Sequence, residues 1–228
     1  MNMLRINIYY ILMKLPAVST VCSSMLNAAF NYVILTSKRL NIDESHALKH
    51  SMDVLNYANC ITESLQYQYP ELISQYNVIS ASAILHDMCD NKYAINTDFE
   101  IENIQNLLSE YMEPTQLKAV CDIISTMSYS TVKKTGYPKL NNYQMAYHVV
   151  READLLSGYD INRCIIYGMM KENTTYIDAV KRAKQLYDLR TSKYLSDNLF
   201  ITKYSINKAY ELDKNAAQDI NLIYSMIV

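Results

Sequence analysis

The sequence predicts an all-α protein, and three observations carry that expectation. Glycine and proline number only 3 and 4, apolar residues recur at three- and four-residue spacing, and no stretch alternates apolar and polar residues as a half-buried strand must. Half of the 228 residues are hydrophobic and 19% are charged, enough for one sizeable core. With no repeat and no low-complexity linker, residues 1–228 read as a single helical domain.

Taken in order, the elements follow from periodicity and from start and stop signals. Arg5 precedes an apolar run from Ile6 to Met13, which Lys14 and Pro16 interrupt well short of the about 20 residues that cross a bilayer. From Ala17 to Leu40, the positions Val21, Met25, Ala28, Ala29, Tyr32 and Leu35 keep the helix period. Asp43 or Ser45 can cap the next helix, whose apolar side carries Leu48, Val54, Leu55, Ala58, Ile61 and Leu65. His46 and His50 stand one turn apart there, and His50 shares the face of Val54 and Ile61, which aims it inward. After Tyr69-Pro70 a helix is expected from about Glu71 to Asp87. It passes through Ser80-Ala81-Ser82-Ala83, small residues that let another helix approach closely.

Thr97-Asp98-Phe99-Glu100 has the pattern of a capping box and opens a helix through Ile101, Ile104, Leu107 and Leu108. Pro114 starts another through Leu117, Val120, Ile123, Ile124 and Met127, and Ser128 to Asn141, the least periodic region, reads as a loop. Ala146, Val149, Val150 and Ala153 form the next stripe, with Asp154 at its edge near the C-terminal end. An acid there opposes the helix dipole unless a cation compensates it. Gly158 precedes a helix bearing Ile161, Ile165 and Ile166, Thr174 or Thr175 caps one bearing Ile177, Val180, Leu186 and Tyr187, and a last helix runs from about Ser205 to Val228.

The bulk properties exclude some partners. A formal net charge of -2 gives no general attraction to a nucleic-acid polymer or an anionic membrane, so an anionic substrate has to be gathered locally. Cys22, Cys60, Cys89, Cys121 and Cys164 are odd in number and lack CxxC spacing, and they read as buried reduced thiols of a cytoplasmic protein.

The chemistry gathers where the apolar run Ala83-Ile84-Leu85 ends in His86-Asp87. Two imidazoles and two carboxylates brought together form a nitrogen and oxygen donor set suited to a divalent ion. Manganese is the first choice, with iron, cobalt, nickel or zinc possible and magnesium less favoured by the histidines. His86 and Asp87 are adjacent and point about 100° apart in an ideal helix. They converge if the helix ends there, and Cys89-Asp90-Asn91 is a turn signal.

One histidine, a His-Asp pair and a distant aspartate is the ligand order of the HD superfamily of metal-dependent phosphohydrolases, which this chain resembles over roughly Ile42 to Arg163. The likeness is to small stand-alone members that hydrolyse nucleotides: Ser45-His46 precedes the first ligand, Asp90 and Lys92 follow the His-Asp pair, and Ala153-Asp154 with Asp160 approximates the final motif. The resemblance implies an HD-type helical domain with a motif-bearing core at about 42–163. It implies His50, His86, Asp87 and Asp154 as ligands of a single metal, and hydrolysis of a nucleotide or other small phosphorylated substrate. Pyrophosphate release from a nucleoside triphosphate is the first choice. Alarmone or phosphomonoester hydrolysis is the alternative within the class, and a catalytically silent nucleotide-binding module is the alternative outside it. Ala47 and Asp53 depart from the pattern of bacterial members, so phosphate contacts do not carry over.

Around these ligands, Asp90 is the candidate base or water-orienting group, one turn from His86, with an exposed helix-end carboxylate as the plain alternative. Arg151, one turn before Asp154, holds a phosphate or offsets the acid. His46 bonds a substrate phosphate or orients His50. Lys92 and Arg163 complete the candidate substrate contacts, and His148 reads as structural.

Overall fold

The structure is a computed structural model that describes residues 20–227, and the apolar run Ile6–Met13 lies outside the described residues. Eleven α-helices and no strand occur among them. They are α1 (Thr20–Leu40), α2 (Leu48–Leu65), α3 (Glu71–Ser74), α4 (Tyr76–Leu85), α5 (Thr97–Leu108), α6 (Pro114–Thr126), α7 (Tyr129–Thr135), α8 (Gln144–Ser157), α9 (Ile161–Met170), α10 (Tyr176–Leu189) and α11 (Lys203–Ile227). None of these is long and apolar enough to cross a membrane.

The centre is a layer of three helices, with α2 packed on both α8 and α4 and with α4 also meeting α1 and α6. Every residue of α4 from Val78 to Leu85 is buried, so this helix has no solvent face. Its small residues do what their size allows: Ser80, Ala81, Ser82 and Ala83 admit α2 closely enough for Ser51 Oγ to donate to the Ile84 carbonyl at 2.9 Å. Helices α9 and α10 are pressed together at Gly168, where an added Cβ would stand 3.0 Å from that of Ala179.

Several boundaries differ from the sequence expectation for identifiable reasons. The helix expected over Glu71 to Asp87 is two helices, broken at Gln75 (φ −94°, ψ 5°), and it ends at Leu85. Helix α2 begins at Leu48 with no side-chain cap, because Asp43 is buried and accepts from the Ser45 N–H (3.0 Å) and the Tyr93 hydroxyl (2.7 Å) instead. The cap of α5 is Asn96, whose Oδ1 accepts from the Phe99 N–H. Glu100, the expected capping-box partner, instead takes a two-pronged ion pair from Arg39 (2.7 and 2.6 Å) that ties α5 to α1. The expected loop of Ser128 to Asn141 contains α7, capped by Ser128 Oγ on the Thr131 N–H and ended at Gly136 with φ 76°. Asp160 caps α9 by accepting from the Asn162 N–H, and Thr175, not Thr174, caps α10. Cys60 is exposed and Cys164 half-buried, against the expectation that all the thiols are buried.

A chain with so few glycines closes its helices on asparagine. Asn41, Asn173 and Asn198 all take positive φ (53–54°), and each precedes a residue whose N–H reaches back past the turn: Ile42 to Ser37 and Leu199 to Tyr194 across five positions, Thr174 to Gly168 across six. Asparagine is the side chain other than glycine that most readily enters this left-handed conformation.

The C-terminal helix is fastened by a carboxylate no periodicity could reveal. Glu152 of α8 is wholly buried and accepts from the Ile201 N–H (2.7 Å), the Thr202 N–H (3.3 Å), the Thr202 hydroxyl (2.7 Å) and Arg151 Nη2 (3.3 Å). Thr202 in turn caps α11 by accepting from the Ser205 N–H. Replacing Glu152 with alanine leaves those donors and the Arg151 charge buried without an acceptor. The expected cost is about 3–5 kcal/mol, read as a lowered midpoint in urea unfolding, with Glu152→Gln losing less.

Candidate metal centre

The three central helices bring four side chains to one point. His50 projects from the first turn of α2, His86 and Asp87 lie in the turn that ends α4, and Asp154 lies in the last turn of α8. His50 Nε2 and His86 Nε2 approach to 3.0 Å. Asp87 Oδ2 stands 3.1 Å from the first and 3.3 Å from the second, and Asp154 Oδ1 3.5 and 3.7 Å from them. The chain leaves α4 through a tight turn at His86 (φ −57°, ψ −33°), with the Met88 N–H reaching the Leu85 carbonyl at 3.0 Å, and both His86 and Asp87 face the cluster. The histidines are buried, the Asp87 side chain is 12% exposed and that of Asp154 is 26% exposed, so the cluster opens to solvent on the Asp154 side.

The ring nitrogens turned away from the cluster settle the protons. His86 Nδ1 donates to the Ala83 carbonyl at 3.0 Å, so Nε2 is the nitrogen turned towards its neighbours, free to lose its proton to a cation. Lone pairs and carboxylates crowded together repel unless a positive charge sits among them. In the metal-free chain that charge is a proton: burial alone would push His86 down, but Asp87 and Asp154 outweigh it and hold the imidazole up at about 9. The same contacts hold both carboxyls well below the usual range against their own burial.

The donors fit a cation at the level of individual atoms. His50, His86 and Asp154 each offer a ligand atom within 4.8 Å of the others, and this group could hold a metal ion. Asp87 Oδ2 lies against both histidines yet is buried without a well-formed hydrogen bond, an orphaned oxygen of the kind a metal satisfies. Two neutral imidazoles and two carboxylates carry the charge that matches a divalent ion.

The remaining sequence candidates divide. His46 is beside the cluster, its ring edge-on to that of His50 at 6.0 Å. Its Nδ1 meets Ser45 Oγ at 2.6 Å and the Tyr93 hydroxyl at 3.2 Å. Tyr93 donates to the buried Asp43, and Tyr167 packs on the other side of His46 at 5.5 Å. Arg163 also comes close, with Nε donating to the Ser45 carbonyl (2.7 Å) and Nη1 to Ser157 Oγ (3.0 Å). Asp90 and Lys92 are engaged with each other in the turn after the ligand pair: Oδ1 accepts from the Lys92 N–H at 2.8 Å and Oδ2 from its ammonium at 3.1 Å, with half of the lysine side chain exposed.

Arg151 is corrected. Its side chain is 2% exposed, donates to Glu152 and lies 4.9 Å from the Tyr137 ring. Three positions before Asp154 leaves it rotated by about 60° from the ligand, enough to turn it from the cluster towards the anchor of α11. His148 lies in the same quarter, against Tyr137, and serves no ligand role in the cluster. The sequence reading missed Ser157, whose Oγ reaches the Asp154 carbonyl (2.7 Å) and His50 Nδ1 (3.4 Å), and it missed the Asp43 and Tyr93 support of His46. Ser157 was findable as the residue one turn after Asp154. The pairing of Asp43 with Tyr93, fifty positions apart, had no local signal.

Comparison with family models, with curated proteins and with solved structures gives no match.

Two outcomes follow. Arg151→Met is expected to lower stability by about 1–3 kcal/mol while leaving metal uptake unchanged, measured by urea unfolding and metal titration of the same preparation. Burial, chiefly, drives both His46 and His148 down to about 4 from an ordinary 6.5. Between those values the unfolded chain binds protons that the native rings refuse, so stability falls as pH drops from about 6.5 to about 4. His86 does not alter that slope, since its contribution is already complete below 6.5 and decays only as pH rises towards about 9. Unfolding midpoints recorded across the acid window, with His148→Gln flattening the curve, check the sign.

Proposed function

We propose that the protein is an HD-type metal-dependent phosphohydrolase acting on a nucleotide, with pyrophosphate release from a nucleoside triphosphate as the first choice. The observation that supports this most is the convergence of His50, His86, Asp87 and Asp154 on one point that is open on a single side. The order of these ligands along the chain and their HD-like context add to it. The two nitrogen and two oxygen donors favour manganese, with iron, cobalt, nickel, zinc and magnesium as alternatives. A divalent ion bound there lowers the pKa of its water and polarises a phosphoryl oxygen.

The chain supplies the rest. The part-exposed Asp154 edge admits the phosphate, and half-exposed Lys92 can swing from Asp90 to meet it. Asp90, released from that ion pair, is the proposed group to orient or deprotonate the attacking water. His46, which burial keeps unprotonated at neutral pH, offers a polar contact next to the first ligand. In the reaction the water oxygen bonds to the α-phosphorus, the bond from that phosphorus to the bridging oxygen breaks, and pyrophosphate leaves and takes up a proton. Alarmone or phosphomonoester hydrolysis uses the same parts. A silent nucleotide-binding module is less favoured, because a solvent-open edge at Asp154 leaves room for an exchangeable water. The reading places the protein in the cytoplasm.

The test is phosphate and pyrophosphate release from a nucleotide panel with Mn, Mg, Co, Ni and Zn, wild type against Asp87→Ala. Turnover that requires added metal and falls at least a hundredfold in the variant is expected. Metal binding without turnover of any nucleotide would move the binding module to first place.

A further inference from the structure

Ser157 and Arg163 are joined to His50 by a chain of hydrogen bonds whose direction can be deduced. A guanidinium only donates, so Arg163 Nη1 gives a hydrogen to Ser157 Oγ at 3.0 Å. The hydroxyl has one hydrogen of its own. The Asp154 carbonyl stands 2.7 Å away and His50 Nδ1 stands 3.4 Å away, so that hydrogen goes to the carbonyl. What remains on the oxygen is a lone pair, and it can meet His50 Nδ1 only by accepting.

We infer that Arg163 and Ser157 are positioning residues that hold His50 in the tautomer with hydrogen on Nδ1, keeping Nε2 bare for a metal ion. The inference rests on the metal-centre reading and assigns Arg163 a task other than phosphate contact. Arg163 is itself anchored, its Nε donating to the Ser45 carbonyl at 2.7 Å in the segment just before α2. It therefore occupies one lone pair of Ser157 and fixes the rotamer that sends the hydroxyl hydrogen to Asp154. Without it the hydroxyl can turn and donate to His50 Nδ1. The imidazole hydrogen then shifts to Nε2, which cannot ligate. His86 has no such dependence, because its Nδ1 is fixed by the Ala83 carbonyl, which never donates. One histidine of the centre is thus set by backbone and the other by two side chains from α8 and α9. Ser157 also ties the two ligands together, since the same oxygen that receives from His50 holds the carbonyl of Asp154.

The test uses the full chain labelled with nitrogen-15 in histidine, at mildly alkaline pH without metal, with proton–nitrogen spectra that distinguish the two tautomers. Wild-type His50, assigned by the signal lost in His50→Gln, is expected to carry its hydrogen on Nδ1. Arg163→Gln and Ser157→Ala are expected to mix the tautomers of His50, and to weaken Co2+ affinity about 10–100-fold. Arg163→Lys, which keeps a cationic donor, is expected to restore most of both. Hydrogen on Nε2 in the wild type, or an unchanged tautomer and unchanged Co2+ affinity in both Arg163→Gln and Ser157→Ala, overturns the inference. A wild type that takes up no Co2+ sinks the metal centre instead, and the nitrogen spectrum still decides the relay.

Discussion

Four nitrogen and oxygen donor atoms crowded at one point are the constraint on which the rest of the molecule depends. Two imidazole nitrogens at 3.0 Å with two carboxylate oxygens beside them need a positive charge in their midst, and in the metal-free chain the proton on His86 supplies it. The fold imposes this crowding by burying α4 completely and packing α2 and α8 on it. A hydrophobic layer supplies the energy that holds unfavourable electrostatics in place, and a cation turns that cost into binding affinity.

The surroundings protect the arrangement in two ways. Hydrogen bonds on the outer ring nitrogens decide which atoms face inward, with a carbonyl behind His86 and a hydroxyl behind His50. The other cations and acids of the core are occupied elsewhere: Arg39 with Glu100 between α1 and α5, and Arg151 with Glu152 beneath the start of α11. Each buried charge therefore has a local partner, and none competes for the cluster.

The helical class and most helix cores were legible because spacing at three and four residues is a local signal, as Val54, Ala58 and Ile61 illustrate on α2. The four clustered residues were legible for a different reason: histidine is rare in this chain, and the His86-Asp87 pair falls where an apolar run stops. What was not legible depends on contacts between distant segments. Asp43 looked like a helix cap but bonds Tyr93, and Glu100 looked like half of a capping box but pairs with Arg39, since a buried carboxylate takes the strongest donor within reach, whatever its distance along the chain. Arg151 looked like a companion of Asp154 because the two are one turn apart. The 60° between them was enough to send it to another neighbour. The break at Gln75 and the short α7 lack enough residues for any periodicity to register.

Helix α8 carries Glu152 and Asp154 within three consecutive residues, one holding the entry to α11 and the other facing the cluster. A single rigid turn therefore belongs to both the terminal anchor and the ligand set. A ligand bond at Asp154 would restrain that turn, and with it the start of the 25-residue α11 that Glu152 holds. A cation at the cluster would then be felt where α11 begins, through Glu152, two residues along α8 from Asp154.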